Sequence, residues 1–247
     1  MDRMIYLAMS AAKQTMTAQA LATHNLANAN TTGFKADFEA FRAMPMAGPG
    51  YASRAFALIE RPGTNFAHGS IETTGNQLDV AVNGDGFIAV LTADGTEAYT
   101  RAGDLQLTVN GQLQTGTGLP VLGNGGPIAL PQSQAIVIGV DGTISIRPLG
   151  QEANTLAQID RIKLVKPDLR QLIKSGDGLL RLRDGANLPA DGSVRLTAGA
   201  LEGSNVNVVQ QMVNMIKHAR AYEMAVKAMN TAQQMDAAGA RLLNLGG

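Results

Sequence analysis

The distribution of proline constrains this chain more than any other feature of its sequence. All nine prolines lie between Pro45 and Pro189, and glycine is dense over the same stretch. Proline lacks a backbone N–H and breaks the interior of a helix, and glycine and proline together favour turns. Both ends of the chain are therefore free to form helices, and the middle is predicted to consist of short elements joined by turns.

The N-terminal segment, residues 1–28, is predicted to be helical. It consists mainly of good helix formers such as Ala, Met, Leu, Gln and Lys. Its apolar and small residues recur at Ile5, Ala8, Ala12, Met16 and Leu26. This face is rich in alanine and interrupted by polar residues, so the helix is expected to be weakly stable alone. Asn28 and Gly33 are expected to shape the turn that ends it.

The C-terminal segment carries a clearer helical pattern. Its apolar and small residues alternate in steps of four and three at Val208, Met212, Met215, Ala219, Tyr222, Val226 and Met229. This spacing is the 3.5-residue repeat of a coiled-coil seam, and it lasts for about three heptads. A second apolar stripe consists of Val209, Val213 and Ile216, so the helix is expected to need more than one neighbour. Ser204 or Asn205 is the predicted N-cap.

Between the two helices, hydrophobicity alternates with a period of two, which is typical of strands. The alternating segments lie at 78–82, 105–109 and 144–146, and two short apolar runs, 87–91 and 135–138, indicate buried strands. Asn-Gly and Asp-Gly dipeptides, such as Asn83-Gly84, supply the positive φ angles of tight turns. We predict an antiparallel sandwich or barrel, whose core must be aliphatic because aromatic residues are scarce and tryptophan is absent.

The predicted fold is therefore mainly β with α-helical termini. An antiparallel β-rich domain is inserted between N- and C-terminal helices that form a coiled coil. The predicted terminal helical domain comprises residues 1–34 and 202–247. Residues 35–78 form an extended connecting segment, and residues 79–201 form the β-rich outer domain.

Composition excludes several classes of function. The formal net charge is zero, so nothing global attracts nucleic acid or an anionic membrane. Cysteine is absent, which excludes disulfides, thiolate metal sites and cysteine nucleophiles. No cleavable signal peptide is visible, and no run approaches the roughly 20 apolar residues of a membrane helix.

The motifs that could carry chemistry are incomplete. Ser10 and Lys13 match the S-x-x-K of penicillin-binding serine enzymes, but the Ser-Asp-Asn element is missing. Gly84 and Gly86 fit a loose dinucleotide pattern, but a strand rather than a helix follows them, so a hairpin turn is the better interpretation. The histidines His24, His68 and His218 lack ligand spacing. We predict no catalytic residues, no metal and no cofactor.

Four segments, in order, resemble the motifs of the flagellar rod and hook protein family. Residues 25–35 (NLANANTTGFK) resemble the segment that closes the N-terminal helix in that family. Residues 78–87 (LDVAVNGDGF) and 99–103 (YTRAG) are similar to its strand-and-turn motifs, and residues 201–207 (LEGSNVN) to the start of its C-terminal helix. The four motifs span nearly the whole chain, so the resemblance is specific.

Within the family, residues 1–6 and 41–45 look most like the proximal-rod member, with the distal-rod member as the close alternative. The resemblance implies a structural subunit of the bacterial flagellar basal-body rod, which polymerises helically in the periplasm and transmits motor torque. It implies coiled-coil terminal helices in an inner tube, with the β-rich domain outside. It also implies export through the flagellar type III apparatus without a cleaved signal peptide.

The expected partners are other subunits of the proximal and distal rod and further copies of the chain, with no nucleic acid and no direct membrane insertion. The predicted assembly interface is the seam of the two helices together with the turn: Ile5, Ala8, Ala12, Met16, Leu26, Asn28, Gly33, Val208, Met212, Met215, Ala219, Tyr222, Val226 and Met229. An ordinary helical hairpin within one subunit is the alternative for these residues.

Two other classes of protein stay open on the residues alone. A secreted β-domain enzyme or carbohydrate-binding module with helical flanks would need a polar pocket or an aromatic platform. A surface adhesin or pilus-like subunit shares the assembly logic but lacks the motif match.

Overall fold

The structure, a computed structural model, describes residues 2–45, 55–148, 150 and 156–244. Helix α1 (Asp2–Ala27) and helix α2 (Val208–Asn244) enclose the strands in sequence. The strands are β1 (Asp37–Pro45), β2 (Ala55–Thr64), β3 (Ile71–Thr73), β4 (Val80–Asn83), β5 (Phe87–Leu91), β6 (Glu97–Thr100), β7 (Leu105–Leu107), β8 (Leu113–Thr115), β9 (Ser133–Ile138), β10 (Thr143–Pro148), β11 (Ala157–Arg161), β12 (Leu164–Val165), β13 (Leu172–Lys174), β14 (Leu180–Leu182), β15 (Arg195–Ala198) and β16 (Ala200–Glu202).

The chain divides into two compact units. The first, here called the helical unit, comprises residues 1–29, 36–65 and 206–247. The second, here called the β unit, comprises residues 30–35 and 66–205. The prediction of a β-rich chain with helices at both ends is confirmed.

In the helical unit, α1 and α2 lie side by side. Residues near the end of α1 and near the start of α2 line one groove, so the two helices run antiparallel. The buried apolar residues described on both helices are alanines: Ala8, Ala12, Ala18, Ala22, Ala225 and Ala232. Such small side chains allow two helices to approach closely but bury little apolar surface.

The start of α2 differs from the prediction. The Asn207 side-chain oxygen accepts a hydrogen bond of 3.0 Å from the Gln210 backbone N–H, three residues later. Asn207 is therefore the N-cap, rather than Ser204 or Asn205. The helix also extends to Asn244, beyond the end of the apolar heptads, because its later residues are still mostly good helix formers.

A two-stranded hairpin completes the helical unit. Strands β1 and β2 pair antiparallel, from Asp37 opposite Thr64 to Pro45 opposite Ala55. The buried Asn25 side chain fixes the start of this hairpin: its amide donates to the Asp37 carbonyl at 2.7 Å, and its oxygen accepts from the Asp37 N–H at 2.9 Å. Two opposed hydrogen bonds thus tie the last turns of α1 to β1.

In the β unit, every pairing between described strands is antiparallel, as predicted. A five-stranded sheet has the order β12-β5-β6-β14-β13, and a three-stranded sheet has the order β11-β10-β9. The pairs β15-β4, β16-β3 and β7-β8 form small separate sheets, so the described strands do not close one continuous barrel. The larger hydrophobic cluster is aliphatic, including Ile88, Leu113 and Ile144, as the composition predicted.

The turn glycines mostly adopt the predicted conformation. Gly84, Gly95, Gly111, Gly142, Gly178 and Gly185 have positive φ angles. The turn at Gly84, however, does not form the predicted hairpin. It connects β4 to β5, and these strands belong to different sheets, because β4 pairs with β15 and β5 pairs with β6 and β12.

Candidate functional site

A cluster of three charged side chains is buried inside the β unit. The carboxylate of Glu202 accepts hydrogen bonds of 2.7 Å from Lys35 Nζ at Oε1 and from Arg101 NH1 at Oε2. The exposed fractions of the Lys35, Arg101 and Glu202 side chains are 3%, 2% and 1%. Charges are rarely buried to this degree unless they are paired and hydrogen-bonded. We call this set the ion cluster.

Three distant stretches of sequence supply the ion cluster. Lys35 lies in the short segment that precedes β1, Arg101 follows β6, and Glu202 ends β16. Backbone groups complete it: Gly69 N–H donates to Glu202 Oε1 at 3.0 Å, and Lys35 Nζ donates to the Ala67 carbonyl at 2.8 Å. The cluster therefore fixes chain segments that are far apart in sequence within one unit.

The ion cluster shifts the pKa of two of its members. Burial alone would raise the pKa of Glu202, but the hydrogen bonds from Lys35 and Gly69 and the charge of Arg101 outweigh it and hold that pKa below its ordinary value. Burial lowers the pKa of Lys35, and the hydrogen bond to Glu202 only partly opposes this. The charge of Arg101 lowers the pKa of Lys35 further, by less than burial does.

His68 extends the ion cluster towards the surface. Arg101 NH1 lies 2.8 Å from His68 Nδ1. Since a guanidinium can only donate, Nδ1 accepts this hydrogen bond and the ring proton is on Nε2. Arg101 NH2 also donates to the Gly84 carbonyl at 2.5 Å, and the guanidinium lies 5.2 Å from the centre of the Phe87 ring. Arg101 thus joins the turn after β4 to β16.

Gly33 lies against the ion cluster, at a position where no side chain fits. Its φ is +67°, and its N–H donates to the Glu202 carbonyl at 2.7 Å. A Cβ at this position would lie 2.2 Å from the carbonyl carbon of Arg101 and 2.3 Å from the Ala102 nitrogen. Asn28, the other residue predicted for this turn, donates from its side chain to the His24 carbonyl at 2.9 Å.

The predicted seam residues are partly exposed in the subunit. On α1, Ala8 and Ala12 are buried, Ile5 and Leu26 are half-buried, and Met16 is exposed. On α2, the exposed members of the seam are Val208, Met212, Ala219 and Tyr222, and the half-buried members are Met215, Val226 and Met229. The buried side of α2 is instead marked by Ala225 and Ala232. The seam thus lies beside the face of α2 that is buried within the helical unit.

Further large apolar side chains are exposed on both helices. They include Tyr6 and Met9 on α1, and Val209, Val213, Ile216, Met224 and Met235 on α2. Isolated exposed apolar residues are normal, but a contiguous stripe usually marks an interaction surface. Val209, Val213 and Ile216 follow one another at helical spacing, as the sequence predicted.

The described residues contain no arrangement for metal chemistry or membrane insertion. Among them, no group of three His, Asp or Glu side chains could hold a metal ion. Neither α1 nor α2, over its described length, includes a stretch apolar and long enough for a transmembrane span.

Three segments of the chain match models of known protein families, and these segments contain the members of the ion cluster and most of both helices. Residues 5–35 match the family "Flagella basal body rod protein", residues 81–146 match "Flagellar hook protein FlgE/F/G D1 domain", and residues 197–242 match "Flagellar basal body rod FlgEFG protein C-terminal". The chain is 43% identical to the flagellar basal-body rod protein FlgF of Salmonella typhimurium over 251 residues, which cover 99% of this chain and 100% of that protein. The chain belongs to the flagellar basal-body rod protein family.

Other relatives agree with this assignment. The FlgF protein of Escherichia coli is also 43% identical, over 99% of this chain and 100% of its own length. The FlgG protein of Bacillus subtilis is 34% identical, over 95% of this chain and 97% of its own length. The resemblance to the proximal-rod member, FlgF, is confirmed, and the distal-rod alternative, FlgG, is less favoured. The chain is a structural protein of the flagellar basal-body rod and not an enzyme.

Sequence reasoning missed the role of the ion cluster. Lys35, Arg101 and Glu202 each stand inside a motif that carried the family resemblance, but only the motifs were recognised. The available signal was a single charged residue next to turn and apolar residues in each of three motifs. Nothing in one sequence indicates that these three charges meet, because the contacts link residues 101 and 167 positions apart.

Proposed function

We propose that the chain polymerises helically, with itself and with other proximal and distal rod subunits, into the drive shaft that transmits motor torque for swimming. The exposed apolar faces of α1 and α2 are the observation that supports this proposal. A helical unit that buries alanines and exposes methionine, valine and isoleucine has its larger apolar surface available to other subunits.

The energetics favour assembly through these helices. Full burial of one Met, Val or Ile side chain stabilises an interface by about 1.5–3 kcal/mol. Met212 and Ile216 have exposed fractions of 52% and 57% in the subunit, so each retains about half of this gain for a contact with a neighbour. Burial of several such side chains offsets the cost of association, which a pair of alanine faces could not do alone.

In this proposal the predicted seam forms coiled-coil contacts. The seam of α2 runs from Val208 to Met229 beside the buried face of the same helix, so a helix of a neighbouring subunit would cover it without displacing α1. An interface of this kind uses two different surfaces, and repeated head-to-tail contacts that do not close into a ring produce a filament.

The ion cluster has a different part in the proposal. Its charged hydrogen bonds hold the segments around Gly33, Gly69 and Glu202 together inside the β unit. A subunit under torque needs segments that do not separate under load, and charge-assisted hydrogen bonds are stronger than neutral ones. The cluster therefore maintains the β unit rather than forming the interface.

The remaining expectations belong to the same proposal. Residues 1–34 and 202–247 would form the inner helical domain, residues 35–78 the connecting segment, and residues 79–201 the outer domain. The rod would lie in the periplasm, reached through the flagellar type III export apparatus. N-terminal sequencing of subunits from purified basal bodies would test whether the assembled chain retains its first residues.

Replacement of an exposed seam residue tests the assembly interface. Asp at the half-buried Met215 or Val226 would also be expected to block assembly, but it could disturb the helical unit itself. Met212→Asp avoids this problem because Met212 is 52% exposed. We expect subunits with Met212→Asp to keep wild-type thermal stability, to fail to enter basal bodies and to leave cells non-motile.

Lys217→Asp is the matched control, because Lys217 is also exposed on the same helix but is polar and lies outside both the seam and the exposed apolar residues. It should retain motility. Normal swimming of cells that carry Met212→Asp, or equal loss of motility in both variants, would refute the assignment of the seam.

Complementation tests the proximal position. The chain should restore motility to a strain that lacks its own FlgF and not to one that lacks FlgG. Restoration of the FlgG-deficient strain alone would place the chain in the distal rod.

A further inference from the structure

Three asparagines of the β unit, Asn83, Asn110 and Asn124, are each followed by glycine. All three side chains are exposed. An asparagine before glycine is chemically labile, because glycine has no Cβ to hinder the attack of its own backbone nitrogen on the asparagine carboxamide. The three sites share the same dipeptide and a similar exposure, so a difference in reactivity among them has to come from the backbone of each turn.

The backbone at Gly111, which follows Asn110, is held on both sides. Its N–H donates to the Thr108 carbonyl at 2.9 Å, and its carbonyl accepts from the Leu130 N–H at 2.7 Å. A Cβ at Gly111 would lie 2.2 Å from the Leu130 carbonyl oxygen, so the packing around it is also close. The nitrogen of Gly111 is therefore not free to approach the Asn110 side chain.

Several other turns of the β unit hold their glycine in the same way. The glycine N–H donates to the carbonyl three residues before it, which is the hydrogen bond of a tight turn. These glycines are Gly95, Gly142, Gly178 and Gly185. Each of them follows an aspartate rather than an asparagine.

The turn at Gly84 departs from this pattern. It connects β4 to β5, which belong to different sheets, so it does not close a hairpin. The Gly84 N–H has no hydrogen-bond partner among the residues that the structure describes. The turn is held instead through the Gly84 carbonyl, which accepts from Arg101 NH2 at 2.5 Å. The backbone nitrogen next to the Asn83 side chain is thus left unbonded.

The turn at Gly125 also leaves its glycine nitrogen unbonded. The Gly123 N–H donates to the Gly126 carbonyl at 2.7 Å, which closes the turn without using the peptide between Asn124 and Gly125. The Asn124 N–H donates to Asp160 Oδ1 at 3.3 Å, but the Gly125 N–H bonds to no described residue. A Cβ at Gly125 would meet nothing within 4 Å, so this peptide has room to move.

We propose that Asn83 and Asn124 are sites of spontaneous deamidation and that the fold protects Asn110. The glycine nitrogen attacks the asparagine Cγ, a new N–Cγ bond forms, and the side-chain nitrogen leaves as ammonia together with the proton of the glycine N–H. Water then opens the resulting five-membered imide. Opening at the side-chain carbonyl gives aspartate, and opening at the main-chain carbonyl gives isoaspartate. Water is the co-reactant, and no enzyme or cofactor is needed.

Deamidation at position 83 acts on the ion cluster. Isoaspartate adds one methylene to the backbone directly before Gly84, whose carbonyl is bound by Arg101. Arg101 also donates to Glu202 Oε2 at 2.7 Å, so a displaced turn disturbs the arginine that joins the two. The inference does not depend on the assembly interface, since neither helix contributes to these turns.

The test is incubation of the full-length chain in mildly alkaline buffer, followed by peptide mapping with mass spectrometry and labelling by an isoaspartate methyltransferase. We expect Asn83 and Asn124 to convert at least tenfold faster than Asn110, because Gly111 reacts only after its turn has opened locally. Conversion of Asn110 as fast as either of the other two sites would overturn the proposal.

The same incubation in guanidinium chloride is the control for the role of the fold. In the unfolded chain the three sites should convert at similar rates, because each is then an asparagine–glycine pair in a flexible chain. A difference that persists in the unfolded chain would assign the effect to the neighbouring sequence and refute protection by the turn at Gly111.

Variants test the consequence for the ion cluster. Asn124→Ser removes the second reactive site, and after incubation the isoaspartate-containing fraction of this variant should melt at a lower temperature in calorimetry. Adding Asn83→Asp to Asn124→Ser introduces the charge but keeps the length of the backbone, so this double variant should keep the melting temperature of the unincubated protein. Equal melting temperatures of the isoaspartate-containing and unmodified fractions would refute the link from this turn to the ion cluster.

Discussion

Removal of the Glu202 charge is the strongest test of the ion cluster. Glu202→Gln keeps the shape of the side chain and one oxygen acceptor, which can still serve Lys35 or Gly69. It places an amide N–H₂ against Arg101, 2.7 Å from a guanidinium that can only donate. Both cations, 3% and 2% exposed, then lie in the β unit without a compensating charge.

The expected loss of stability follows from the cost of an uncompensated buried charge. Removal of one partner from a buried ion pair typically lowers the free energy of unfolding by about 3–5 kcal/mol. For a unit of this size, 1 kcal/mol corresponds to roughly 2–4 °C in melting temperature. Glu202→Gln should therefore lower the melting temperature of the β unit by roughly 6–20 °C.

Differential scanning calorimetry with far-ultraviolet circular dichroism measures this change, because the chain has no tryptophan for fluorescence. Glu72→Gln is the matched control. Glu72 lies on β3, where it pairs with Leu201, the residue before Glu202, and its side chain is exposed. This control should change stability by at most about 0.5 kcal/mol.

A second substitution tests the reason for the loss. Lys35→Met in the Glu202→Gln background removes one of the two uncompensated cations and should recover part of the stability. A melting temperature of Glu202→Gln within about 2 °C of the wild type, or no recovery in the double variant, would refute the argument from buried charge.

Three further outcomes are expected. Gly33→Ala should lower the free energy of unfolding, measured by calorimetry, by about 2 kcal/mol or more beyond the effect of Gly75→Ala. Both glycines have positive φ, but only at position 33 would the added Cβ also clash with backbone atoms. Equal losses of stability in the two variants would contradict the clash. Asn207→Ala should lower the free energy of unfolding, followed by circular dichroism, by about 1 kcal/mol because it removes the N-cap of α2. The control Asn230→Ala, at an exposed position in the middle of the helix, should cause no loss of stability. Equal stability of the two variants would contradict the assignment of the cap. Because the pKa of Glu202 is lowered in the folded chain, the unfolded chain binds more protons near pH 4. The stability of the wild type should therefore fall as the pH drops below about 4.3, and its advantage in stability over Glu202→Gln should shrink there. A stability difference between the two proteins that stays constant from pH 7 to pH 3 would contradict this prediction.

The sequence by itself determined the helices, most of the strands and the family. Proline confined to the middle allowed both terminal helices, period-two alternation located strands such as β4 and β10, and a continuous apolar run located β5. These are local properties, since backbone geometry and side-chain spacing act over a few residues. The motifs at residues 25–35, 78–87, 99–103 and 201–207 were sufficient to identify the family.

The tertiary structure alone decided which residues meet. It placed the turn at Gly84 between two sheets, and moved the N-cap of α2 to Asn207 through a side-chain hydrogen bond that several nearby polar residues could have supplied. It also brought Lys35, Arg101 and Glu202 together. Ion pairing has no sequence period, and a buried charge cannot be distinguished from a solvated one until the chain around it excludes water.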